Sequence, residues 1–129
     1  MRIEGYFLLI QRVVESSPVI HLSNITYEKR GTHEGFIRGQ LHFVDSSISY
    51  WREFVDVEIT ADRLMYVYQY TDSSKKLVFR YDNTGHHKKL GLPTYPHHKH
   101  ESSEDNVIPA EAMDLATTLK EIESLVQLP

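Results

Sequence analysis

Between Arg80 and His100 the chain gathers five of its eight histidines, with Arg80, Asp82, Asn83 and three lysines among them. Imidazole is the side chain that titrates near neutrality, so two of them positioned together can act as general base and general acid in one reaction. Cleavage of RNA by its own 2′-hydroxyl needs such a pair and a cation to offset charge building on the phosphorus. Arg80, Lys88 and Lys99 are candidates for that cation. The imidazoles in question are His86, His87, His97, His98 and His100, with Asp82 close enough in sequence to orient one of them. A metal is the competing use of the same groups. His98-x-His100 is an imidazole pair that His86 can complete, with Asp82 nearby, although an H-x-H pair lacks the i, i+4 spacing that makes helical metal motifs specific. A third use is none: a solvated basic loop braced by Pro93 and Pro96.

Composition narrows these options. Among 129 residues there is no cysteine, which removes disulfides, thiolate nucleophiles and every cysteine-ligated metal site. No cofactor is expected; a divalent metal belongs to the alternative reading, in which the chain is a non-enzymatic regulatory or metal-binding module. The net charge of −4 is uneven: residues 75–100 carry +5, whereas residues 101–129 carry −6. A polyanion is therefore drawn first to the histidine segment. The early apolar run Tyr6–Ile10 is too short to span a bilayer and lacks a basic lead, so no membrane association is expected and the cytoplasm is the default location.

The elements that must position these groups follow from periodicity. Ile3, Phe7, Ile10 and Val14, widened by Tyr6, Leu9 and Val13, predict a helix over 3–15, stopped before Pro18. Alternation predicts strands at 19–28, 36–44, 47–58, 63–70 and 76–83. A histidine-rich loop at 84–106 and a helix at 111–126 complete a single α+β domain with a meandering antiparallel sheet of about five strands. A two-residue turn at Asp45-Ser46 pairs Phe43 with Ile48, Leu41 with Tyr50 and Arg38 with Glu53. That register makes Glu53 either one half of a cross-strand ion pair or an acid of the site. The second hairpin pairs Tyr70 with Leu77, Tyr68 with Phe79 and Tyr66 with Tyr81. It leaves Arg80 and Asp82 together on the opposite face, and it favours a tyrosine-rich core over a base-stacking platform. Trp51 reads as a packing residue.

Several runs together resemble the TumE family of toxins from type II toxin–antitoxin systems. They are IRGQLHFVDSSISYWRE at 37–53, YVYQY at 66–70, LVFRYDN at 77–83, the pair His86-His87, PTYPHHKH at 93–100 and VIPA at 107–110. The pairing of FRYDN-x-x-HH with P-x-x-P-H-H-K-H carries the specificity. The resemblance implies a growth-inhibiting toxin neutralised by an antitoxin, commonly a helix-turn-helix protein. It places the distinctive positions on Glu53, Arg80, Tyr81, Asp82, Asn83, His86, His87, Pro96, His97, His98, Lys99 and His100. Two departures stand out: Asp45-Ser46-Ser47 replaces Asp-Gly-Ser, and Thr84-Gly85 replaces Ala-Pro. From the imidazole-rich chemistry, and not from the resemblance, comes the expectation of a metal-independent endoribonuclease. Its catalytic groups come from His86, His87, His97, His98, His100, Asp82 and Glu53. Arg80, Tyr81, Asn83, Lys88 and Lys99 hold the substrate, and the sequence leaves the oligomeric state open.

Overall fold

The computed structural model describes residues 1–128. Helix α1 (Ile3–Glu15) is followed by strands β1 (Ile20–Lys29), β2 (Glu34–Phe43), β3 (Ile48–Asp56), β4 (Asp62–Thr71) and β5 (Leu77–Asp82). A 3-10 segment (Gly85–Leu90), β6 (His98–Glu101), β7 (Val107–Pro109) and α2 (Leu115–Leu125) complete the order. The strands form one antiparallel meander in sequential order, so the class is α+β. The sheet has seven strands rather than five, because one short strand, β6, lies inside the stretch read as loop and another, β7, directly follows it. His98–Glu101 has no apolar alternation of its own. It becomes a strand by pairing with the free edge of β5, which satisfies backbone groups that would otherwise stay exposed.

Both helices cover one face of the sheet. In α1 the buried residues are Ile3, Tyr6, Ile10 and Val14, a stripe at helical spacing; Leu9 faces solvent instead. The helix approaches β2 so closely that a Cβ on Gly35 would lie 2.6 Å from Ile3. Helix α2 starts at Asp114, whose carboxylate accepts from the Thr117 backbone N–H at 2.7 Å, and it buries Leu115, Leu119 and Ile122. Tyr66, Tyr68, Tyr70 and Phe79, each almost wholly buried, form the sheet side of this core.

The β2–β3 turn departs from expectation, and the departure reshapes the sheet. The Phe43 N–H donates to Ser47 O and the Ser46 N–H to Phe43 O, closing a three-residue loop with Ser46 at φ 70°. That left-handed residue is the bulge position of such hairpins. Pairing therefore runs Leu41 with Ser49, Gln40 with Tyr50, Arg38 with Arg52 and Ile37 with Glu53. A slip of one residue relative to a two-residue turn sends every β3 side chain to the other face. Trp51 and Glu53 consequently enter the core, Trp51 against Gly39, where a Cβ would stand 2.5 Å from the indole Nε1. Tyr50 and Arg52 come out to the open face. At β4–β5 the pairs are Tyr68 with Tyr81 and Tyr70 with Phe79, two residues from the expected register, with a bulge beside Thr71. An even shift leaves the faces unchanged, so Arg80 and Asp82 do share the open face.

Candidate active site

Cross-strand pairing builds the site. On β5, Phe79 and Tyr81 turn into the core, which leaves Arg80 and Asp82 on the face away from the helices. On β6, His98 lies opposite Asp82 and His100 opposite Arg80, so H-x-H and R-x-D form a two-by-two array on one surface. The 3-10 segment then folds back and brings the His87 ring to 4.9 Å from His98 and 5.3 Å from His100, with His98 and His100 5.0 Å apart.

Backbone carbonyls fix the proton positions on two of these rings. His98 Nδ1 lies 2.9 Å from Pro96 O, and His100 Nδ1 lies 2.8 Å from Glu104 O. A carbonyl only accepts, so each Nδ1 carries the hydrogen and each Nε2 turns toward the cluster. Asp82 sits between them, with Oδ1 2.8 Å from His98 Nε2 and Oδ2 3.5 Å from His100 Nε2. The carboxylate is held by the Thr84 N–H and hydroxyl, at 3.1 and 2.9 Å, and by Arg80 Nε at 3.3 Å. Its approach to His98 is close but lacks hydrogen-bond alignment, so His98 Nε2 is buried without a hydrogen-bond partner. Arg80 Nη2 donates to His100 Nε2 at 3.2 Å, and Nη1 donates to Glu104 at 2.7 Å.

The array stands at one end of a cleft of about 650 Å³ on the open face of the sheet. Two rows of side chains run from it across the strands. One passes through Gln69 and Tyr50 to Gln40; the other passes through Val67 to Arg52 and Arg38. Arg38 and Arg52 oppose each other directly, and among the described residues neither is ion-paired. Like charges facing across strands destabilise a sheet. An anion between them removes that penalty. Sequence reading overlooked Arg52; its signal was the alternation Tyr50-x-Arg52 once the turn is counted as three residues.

The remaining expected site residues are placed elsewhere. His86 and Lys88 are exposed, His86 at the rim of the cleft. His97 is on the helix side, its ring stacked on Tyr66 and its Nδ1 2.8 Å from the Tyr66 hydroxyl. Lys99 also faces the helices, over Phe79 and Tyr81 and paired with Glu101 and Glu121. Burial works against its charge, but Glu101, Tyr81 and Glu121 together hold its pKa above the ordinary lysine value. The Tyr81 hydroxyl donates to Glu121, and burial followed by that contact pushes the phenol up to about 12. The acidic C-terminal helix thus neutralises Lys99 and not the open face. Asn83 extends the ladder: its amide oxygen accepts from Tyr66 N–H and its NH₂ donates to Leu64 O. Glu53 is fully buried on the helix side, where Tyr6 and Tyr68 hydroxyls donate to it and Arg63 approaches to 3.9 Å. Burial raises its pKa, and the two phenols and Arg63 only partly reverse the effect.

Fold and site together define an α+β protein whose helices cover one face of an antiparallel sheet and whose other face carries arginines leading to an imidazole cluster. The chain belongs to the TumE toxin family: residues 10–127 match the family described as Toxin TumE. No curated protein and no solved structure matches it. A toxin family implies an antitoxin partner. Among the described residues no helix is long and apolar enough to cross a membrane.

Proposed function

We propose that this toxin binds single-stranded RNA along the open face of the sheet and cleaves it at the histidine cluster without a metal. One observation carries the reading. Arg38 and Arg52, unpaired among the described residues, share a cleft with Arg80, with His87 and with His100, whose Nε2 turns toward the cluster.

His100 and His87, which line the cleft, make the two proton transfers. One removes the proton from the ribose 2′-hydroxyl, whose oxygen attacks the adjacent phosphorus. The other protonates the departing 5′-oxygen, leaving a cyclic phosphate and a free 5′-hydroxyl. Arg80 offsets the charge on the phosphorane, where a fixed cation contributes most. Asp82 and His98, behind His100, hold its ring in place. Arg52 and Arg38 take phosphates further along the strand. The site of action is the cytoplasm, and the antitoxin is a helix-turn-helix protein encoded alongside.

The test is expression of His100→Ala, His87→Ala and the double variant, scored for growth arrest and for RNA cleavage in EDTA. General acid–base catalysis contributes about 10²–10⁴-fold, so each single variant loses at least about a hundredfold in rate. Full toxicity and cleavage in the double variant would remove these imidazoles from the mechanism.

A further inference from the structure

We propose that His87, His98 and His100 also form a binding site for one divalent ion of the zinc class, and that its occupation switches the proposed nuclease off. The binding part stands on geometry alone; the switching part rests on the function proposed above.

Three observations converge on the ion. One ligand-capable nitrogen from each ring lies within 4.8 Å of the other two. The outer N–H groups of His98 and His100 are already spent on Pro96 O and Glu104 O, which is how metal-bound imidazoles are oriented and made more basic. The inner His98 Nε2 is buried and makes no aligned hydrogen bond, with Asp82 Oδ1 2.8 Å away, so its lone pair is not committed to a donor and an ion can take it with the carboxylate alongside. Imidazole donors with one carboxylate at hand and no thiolate suit zinc, nickel or copper and disfavour magnesium, which requires an oxygen shell.

Distances define the movement required. Tetrahedral zinc with bonds of about 2.0–2.1 Å sets its nitrogens about 3.4 Å apart, so separations of up to 4.8 Å must contract by at most about 1.4 Å. His98 and His100 are fixed on β6. His87 is half-buried on the 3-10 segment, at a residue whose φ of −109° and ψ of 28° interrupt the helical turn, and it is the ring free to close. Asp82 is placed to supply the fourth ligand.

The switch follows from Arg80. Its Nη2 donates to the same His100 Nε2 that the ion takes, so binding expels the guanidinium, which Glu104 already holds through Nη1. An occupied site therefore lacks free imidazole lone pairs, and Arg80 is no longer where the phosphorane needs it. Metal and proton transfer exclude each other.

The experiment titrates zinc into untagged protein by calorimetry, with magnesium as the comparison and His86→Ala and His87→Ala as variants. His86 is exposed and His87 half-buried on a 3-10 segment that buries none of its residues, and thermal melts of both variants check that the fold is kept. The expected result is one zinc per chain, no magnesium, unchanged affinity in His86→Ala and a loss of more than about tenfold in His87→Ala. Absence of saturable micromolar binding, or equal weakening by the two variants, overturns the site. In parallel, zinc should suppress RNA cleavage and EDTA restore it; stimulation by zinc overturns the switch. A chain that binds zinc but cuts no RNA refutes the nuclease and leaves the site standing. One that cuts RNA and binds no zinc does the reverse.

Discussion

Replacing Arg52 by Gln should make the protein more stable and a poorer toxin. In the structure Arg52 faces Arg38 across β2 and β3, with no carboxylate pairing either among the described residues. A cross-strand pair contributes roughly 0.2–1 kcal/mol, and the sign here is unfavourable. Glutamine keeps most of the stem and removes the charge, so the gain is a few tenths of a kcal/mol up to about 1. For a chain of this length that raises Tm by roughly 1–4 °C. The gain should be largest in dilute buffer and vanish near 1 M salt, where the screening length falls to about 3 Å. RNA binding should respond in the opposite direction. Each phosphate contact to a single strand adds about 0.7 to the slope of log affinity against log salt, so Arg52→Gln should flatten that slope by about this amount. Thermal melts at two salt concentrations and RNA titrations across a salt series measure both. A variant that melts lower at low salt and keeps the wild-type slope would refute the claim that this arginine pair waits for phosphate.

Two further expectations concern the scaffold. Burial raises the Glu53 pKa, so between about pH 4.5 and the raised native value the folded state keeps a proton that the unfolded chain has lost. Stability should therefore fall as pH rises through that window and stay lowered above it, and Glu53→Gln should abolish this component; parallel melting curves for the two proteins against pH would contradict it. At Ser46, φ 70° strains a residue with a Cβ, so Ser46→Gly should stabilise by roughly 0.5–1 kcal/mol after the entropy cost of glycine, read from urea unfolding. An unchanged midpoint would show that the turn tolerates serine without strain.

The sequence by itself determined whatever depends on short periods along the chain. Alternation in LVFRYD put Arg80 and Asp82 on one face and Phe79 and Tyr81 on the other, and the register shift by two left that intact. The stripes of Ile3, Ile10 and Val14, and of Leu115, Leu119 and Ile122, marked both helices for the same reason. Only the tertiary structure decided what depends on how distant segments meet. One left-handed residue at Ser46 chose the β2–β3 register, exchanging Glu53 for Arg52 on the open face. Pairing with the edge of β5 made His98–Glu101 a strand and sent His98 and His100 to one side, His97 and Lys99 to the other. The return of the 3-10 segment selected His87 over its neighbour His86. Side-chain direction alternates residue by residue and is written locally; register and strand partnership are set by turn conformation and by backbone hydrogen bonds across the fold, which no local pattern encodes.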